Sequence, residues 1–174
     1  MNAIIANANE VFLLPGQIWF GGGEIRLRTI LGSCVAITFW HPQRRIGGMC
    51  HYVLAKPRCG TEANDARYGS EAVAQLVLEM RAAGTDPDEY EAKLFGGGRM
   101  FPSLSGRTSE DALQRRNIDA ARTLVAACGA RIRGEHLGGD GHRHLVFDVS
   151  EGDVWLRHWP LLGTTRPKPV PALR

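Results

Sequence analysis

The stretch Thr29-Ile-Leu-Gly-Ser-Cys-Val-Ala-Ile-Thr-Phe-Trp40 contains a Gly32-Ser33 turn followed directly by an apolar run, residues 35–40. A compact apolar run that ends at turn residues, here His41-Pro42, predicts a buried strand. Residues 49–54 then predict the returning strand of a hairpin. Upstream, residues 24–30 alternate between polar and apolar side chains, which predicts another strand. The decisive stretch therefore lies inside a sheet.

The rest of the chain adds short strands and two helices. Further strands are expected at residues 93–95, 130–133, 145–149 and 154–156. Apolar residues at helical spacing predict a helix from an N-cap at Ser70 to a stop at Gly84. A second helix ends at Gly129 and begins either at Asn117 or nearer Ser109. Strands outnumber helices, so we expect an α+β fold, a mixed and largely antiparallel sheet covered by two main helices.

Length and composition indicate one globular domain. The chain has 174 residues, of which 44% are hydrophobic and 22% charged, values that exclude a disordered or collagen-like protein. No apolar run approaches the ~20 residues of a membrane helix, and the N-terminus is a poor signal peptide. We expect a single domain over residues 1–160, a flexible, Pro-rich basic tail over 161–174, and a cytoplasmic location without membrane insertion.

The charge distribution argues against nucleic-acid binding. The formal net charge is +3, and the tail holds three basic residues, Arg166, Lys168 and Arg174, and no acid. The predicted domain therefore balances at zero and offers no basic footprint for a phosphate backbone. The four cysteines form no Cys-x-x-Cys pair, and the histidines show no recognisable metal-ligand spacing, so no metal site is expected.

Cys34 and His51 are the candidate chemical pair. Cys34 lies where the Gly-Ser turn enters the strand, and His51 lies on the returning strand, so the hairpin could bring the two together. An adjacent imidazole can take the thiol proton and activate the thiolate. The alternative is that Cys34 is a small core residue, since free cysteine is among the most buried residue types. These residues alone leave both interpretations open.

Several uncommon elements of the sequence resemble the CheD family of chemoreceptor glutamine deamidases. The first is residues 31–57, LGSCVAITFWHPQRRIGGMCHYVLAKP. Others follow in the same order: Tyr68-Gly69, Lys93-Leu-Phe-Gly-Gly-Gly-Arg-Met100, Arg116-Asn117 and Gly138-Gly139. The resemblance extends from about residue 16 to residue 157.

The resemblance implies an enzyme that converts particular glutamines of methyl-accepting chemotaxis receptors, in their cytoplasmic helical region, to glutamate and ammonia. It also implies activity on receptor glutamyl methyl esters and a possible partner, a CheC-type chemotaxis phosphatase. The alternative is a non-catalytic module that regulates such a phosphatase. No cofactor is implied.

The resemblance assigns the site residues by position. Cys34 is the nucleophile and His51 the base. Some family members carry the third residue, a threonine, one position further upstream, where this chain has Arg28; we take Thr29, the only threonine just upstream of Cys34, as the residue that orients the imidazole. The tetrahedral intermediate of acyl transfer also needs hydrogen-bond donors for its oxyanion. We expect these donors to be the backbone N–H of Cys34 and that of a neighbour in the Gly32-Ser33 turn. The glycine cluster that contains Gly97 and Gly98 is expected to seat the substrate backbone.

Overall fold

A computed structural model describes residues 4–7, 9–57, 64–100, 109–161 and 169–173, and the side chains of 9–57, 64–100 and 112–161. These residues form two α-helices, α1 (Gly69–Ala82) and α2 (Ser109–Cys128), and eleven strands. The strands are β1 (Ile4–Asn7), β2 (Glu10–Phe12), β3 (Gln17–Gly22), β4 (Arg26–Leu31), β5 (Val35–His41), β6 (Ile46–Tyr52), β7 (Glu91–Gly96), β8 (Arg131–Leu137), β9 (His142–Asp148), β10 (Val154–Trp159) and β11 (Pro169–Leu173).

The strands form two mixed sheets. One has the order β3-β6-β5-β7-β8, and the other has the order β1-β2-β4-β9-β10-β11. Most neighbours are antiparallel, whereas β2–β4 and β7–β8 are parallel. The expected α+β class, with largely antiparallel pairing and two main helices, is confirmed. The tail contributes β11, which pairs antiparallel with β10.

The five-stranded sheet is the middle of three layers. Alternate side chains of its strands point to opposite faces, and each face has its own hydrophobic core. One core joins this sheet to both helices and includes Ile37, Cys50 and Leu76. The other joins it to the six-stranded sheet and includes Ala36 and Leu27. Among the described helices, none is long and apolar enough to cross a membrane.

The expected N-cap of the first helix at Ser70 was wrong, and of the two starts left open for the second helix, the one near Ser109 is correct. Helix α1 begins at Gly69, and the N–H groups of Gly69 and Ser70 donate to the carbonyls of Leu54 and Ala55, so no side-chain cap is needed. Helix α2 begins at Ser109, which places Asn117 in its interior. Asn117 is fully buried there, and its side chain donates to the Val53 carbonyl instead of capping a helix end.

At Gly96, the end of β7 contacts the turn that precedes β5. Its φ is +114°, a conformation that side chains with a Cβ rarely adopt. A Cβ at this position would collide with the carbonyl oxygen of Cys34. The Gly97 N–H donates to the same oxygen at 2.8 Å. Glycine at position 96 therefore allows the two backbones to meet beside Cys34.

We expect Gly96→Ala to destabilise the protein more than Gly23→Ala. Gly23 also has a positive φ, +91°, but no atom lies within 4 Å of an added Cβ there, so it measures the conformational cost alone. That cost is about 1 kcal/mol, and the collision at Gly96 should add roughly 2 kcal/mol. Thermal melts of both variants test this, and equal melting temperatures would contradict it.

Candidate active site

The two strands of the predicted hairpin position Cys34 and His51. β5 pairs antiparallel with β6, with Ala36 opposite His51. Directly paired residues share a face of the sheet, and Cys34 lies two residues before Ala36. Cys34 also packs against the core between the two sheets. The hairpin therefore brings Cys34 and His51 to one face, at its open end, where β6 finishes.

Thr29 approaches the same face from the other sheet. β4 alternates between exposed and buried side chains, and Leu27, Thr29 and Leu31 point inward. The Thr29 hydroxyl lies 2.7 Å from His51 Nδ1. Arg28, the preceding residue, is exposed and pairs with Glu10. The strand register therefore selects Thr29 as the hydroxyl beside the imidazole.

The hydroxyl also determines which nitrogen of His51 carries the proton. Thr29 Oγ1 donates its single proton to the carbonyl oxygen of Leu13, 2.8 Å away, because a carbonyl can only accept. The hydroxyl can then only accept from His51 Nδ1, so Nδ1 is protonated. Nε2 keeps its lone pair, and it has no hydrogen-bond partner among the described residues. This is the tautomer that a base acting through Nε2 requires.

Burial keeps both members of the pair uncharged at rest. His51 is 1% exposed, and burial lowers its pKa to about 4. The Leu13 carbonyl acts in the opposite direction, because it favours the protonated ring. Cys34 is half-buried, and burial raises its pKa, while its own backbone N–H opposes that shift. A low-dielectric site disfavours both the imidazolium and the thiolate. At neutral pH the site therefore holds a thiol and a neutral imidazole on the same face of the sheet.

The residues around Cys34 fall into two groups according to what their backbone N–H groups bind. The N–H groups of Gly97 and Gly98 donate to the carbonyls of Cys34 and Gly32 at 2.8 and 2.7 Å, so they are occupied in holding the turn. Within the described segments, the N–H groups of Ser33 and Cys34 make no backbone–backbone hydrogen bond. Gly97 and Gly98 thus shape the turn, and the donors available for an oxyanion are those of Ser33 and Cys34.

Asn117 is a site residue that the sequence patterns did not reveal. Its Nδ2 donates to the Val53 carbonyl at 2.8 Å and lies 3.5 Å from the Ser33 carbonyl. These carbonyls belong to the segments that carry His51 and Cys34. Asn117 therefore ties helix α2 to both segments. In the sequence, Arg116-Asn117 is among the elements of the family resemblance, but Asn117 was given no role beyond a possible helix start.

The other cysteines are placed away from this chemistry. Cys50 faces the helices, opposite to His51, and burial raises its pKa to about 12. Cys128 packs against the same helical core, and burial raises its pKa too. Cys59 lies outside the described residues. No group of three or more metal-binding side chains occurs in the described part of the chain.

Comparison with known proteins identifies the family. A family model described as CheD chemotactic sensory transduction matches residues 54–158. The chain is 48% identical over 157 residues to a Dechloromonas aromatica protein named probable chemoreceptor glutamine deamidase CheD 3, which covers 90% of this chain and 91% of that protein. It is 42% identical over 154 residues to a probable chemoreceptor glutamine deamidase CheD of Pseudomonas syringae, covering 88% of this chain and 92% of that protein.

The fold comparison is more distant. The crystal structure of YlmD from Geobacillus stearothermophilus aligns with a TM-score of 0.46 and 15% identity, over 70% of this chain and 50% of that one. The sequence relatives extend over nearly the whole chain, including the Cys34 and His51 segments that precede the matched family model. The two CheD relatives are 48% and 42% identical to this chain and cover 90% and 88% of it, so the chain belongs to the CheD family.

Proposed function

We propose that this protein hydrolyses the side-chain amides of glutamines in the cytoplasmic helical region of methyl-accepting chemotaxis receptors, with Cys34 as nucleophile. The names of the relatives supply the substrate class. The observation that carries the mechanism is the Thr29–His51 hydrogen bond, which leaves His51 Nε2 as the basic nitrogen on the Cys34 side of the sheet. A module that only bound a phosphatase would not need this arrangement.

Acylation begins from the neutral pair. His51 Nε2 takes the proton of Cys34 Sγ as the sulfur attacks the carbon of the glutamine carboxamide. The negative charge that develops on the amide oxygen is stabilised by the backbone N–H groups of Ser33 and Cys34. The imidazolium then gives its proton to the amide nitrogen, which leaves as ammonia. Cys34 remains as a thioester of the former glutamine side chain.

Deacylation uses the same residues. His51 Nε2 removes a proton from water, whose oxygen attacks the thioester carbon, and the returning proton restores the Cys34 thiol. One amide and one water thus give one carboxylate and one ammonium ion. A glutamyl methyl ester reaches the same thioester with methanol as leaving group, so we include methyl-ester hydrolysis in the proposal.

We expect Cys34→Ala and His51→Ala each to reduce deamidation to background without unfolding. Nucleophile and base act as a unit, so losing either should cost about as much as losing both. Mass spectrometry of receptor cytoplasmic fragments gives the readout, a gain of about 1 Da for each amide converted to an acid. Cys128→Ala is the control, since Cys128 packs against the helical core. Normal turnover by Cys34→Ala would refute the mechanism.

Thr29 should matter through its hydroxyl. Thr29→Val keeps the β-branched shape but leaves His51 Nδ1 and the Leu13 carbonyl without their shared partner, so we expect kcat to fall roughly 10- to 100-fold while remaining above that of Cys34→Ala. Thr29→Ser should be much milder. The matched control is Thr38→Val, because Thr38 is also buried in a strand and its hydroxyl has only a 3.5 Å contact with the Lys93 carbonyl.

Ammonia release and a thermal melt of each variant make this comparison. A folded Thr29→Val variant with wild-type kcat would remove Thr29 from the site. Another group would then have to orient the imidazole.

The enzyme should keep its activity to an unusually low pH. His51 acts as a base only when neutral, and its pKa of about 4 keeps it neutral well below the usual histidine range near 6.5. Activity is lost as the pH falls through that pKa, so kcat/KM should stay nearly constant from pH 7 down to about 5.5. Initial rates across this range, with circular dichroism to confirm folding, test it. A half-loss of kcat/KM at pH 6.5 or above would contradict the buried neutral base.

A further inference from the structure

Arg143 is a buried cation with an unusual environment. It lies on β9 between two histidines, and its side chain is 1% exposed, the largest fully buried side chain among the described residues. It is paired with Leu31 of β4 and His158 of β10, and it points into the molecule. Burial lowers its pKa to about 10, which leaves the guanidinium charged at neutral pH.

The groups around this guanidinium are neutral. Nε donates to His136 Nδ1 at 2.8 Å, and Nη2 donates to the Gly138 carbonyl. Burial, Arg143 itself and nearby His158 lower the pKa of His136, which favours the neutral ring that can accept this bond. The carboxylate of Asp140 accepts from Arg99 at 2.7 Å. Within the described residues, Arg143 pairs with no carboxylate, and its Nη1 has no hydrogen-bond partner.

The guanidinium lies next to the glycine backbone that holds the turn before Cys34 in place. Nη1 is 2.8 Å from the position that a Cβ on Gly98 would occupy. The Gly98 N–H donates to Gly32, two residues before Cys34, and the Gly138 N–H donates to the Gly96 carbonyl at 2.9 Å. Leu31, the strand partner of Arg143, immediately precedes the turn. The guanidinium thus contacts the loops of Gly98 and Gly138, whose N–H groups bind Gly32 and Gly96 next to Cys34.

We propose that Arg143 is a positioning residue for the nucleophile: its guanidinium fixes the glycine loops around Cys34, and its unpaired charge stabilises the Cys34 thiolate and the oxyanion of the tetrahedral intermediate. The oxyanion part rests on the proposed function. A buried cation without a counter-charge is costly, because no ion pair offsets the loss of its hydration. We infer that Arg143 is kept at this position because negative charge develops near Cys34 only during the reaction. The guanidinium would stabilise that charge strongly, since electrostatic interactions are stronger in a low-dielectric site.

The test compares Arg143→Met, which removes the charge but keeps apolar bulk, with Arg143→Lys, which keeps the charge but loses the fork. Arg157→Met is the matched control, because Arg157 is an exposed arginine on the adjacent strand β10. The first readout needs no receptor. It is the pH dependence of Cys34 alkylation by iodoacetamide, followed by peptide mapping. The second is kcat and KM for deamidation of receptor fragments.

For Arg143→Met we expect the alkylation midpoint of Cys34 to rise by about one pH unit, so that labelling at pH 7 slows roughly tenfold. We expect kcat to fall at least about tenfold with KM changed less than about threefold, because the charge acts on the transition state. Arg143→Lys should keep a near-wild-type alkylation midpoint but lose kcat. Arg157→Met should match the wild type in both readouts.

A folded Arg143→Met variant with a wild-type alkylation profile and kcat would overturn the proposal. Should that variant not fold, Arg143→Lys decides: wild-type kcat would exclude positioning by the guanidinium fork, and reduced kcat at unchanged KM would support it. Absence of deamidation in wild-type protein, together with the shifted alkylation midpoint, would refute the proposed function and leave the effect of Arg143 on the thiol standing.

Discussion

The Thr29 hydroxyl has a single proton, and the direction in which it is donated organises the site. Because the Leu13 carbonyl takes that proton, His51 must donate from Nδ1 and present a basic Nε2. Leu13 and Thr29 precede the hairpin that carries Cys34 and His51. The contact between the two sheets therefore does more than bury apolar surface, since it also sets the chemical form of the base.

The same burial that holds the imidazole also determines how reactivity is generated. A preformed thiolate–imidazolium pair would be poorly solvated in this site, and the pKa directions at Cys34 and His51 both favour the neutral pair. In the proposed mechanism, proton transfer therefore accompanies attack on the carbonyl carbon. The proposed stabilisers of the charge created in that step are the backbone donors and the buried guanidinium, and both are in place before the substrate reacts.

The sequence predicted the parts of the site that depend on local periodicity. The turn before Cys34 and the hairpin to His51 follow from the apolar run and the turn residues that bound it. The second sheet was not separated from the first, because the pairing of β4 with β9 joins residues more than a hundred positions apart, such as Arg26 and Asp148. Periodicity cannot detect such pairs. It also cannot show that the Gly97 and Gly98 N–H groups are already occupied.

The pairing of β4 between β2 and β9 has a consequence for the order in which the chain acquires reactivity during synthesis. Thr29, Cys34 and His51 all emerge from the ribosome within the first third of the chain. Strand β9, which fixes the position of β4, emerges far later, and such long-range pairing forms slowly. Until β9 is available, β4 has only β2 as a neighbour in its sheet. Under the proposed mechanism, the strand that completes the support of Thr29 is therefore made after both the nucleophile and the base.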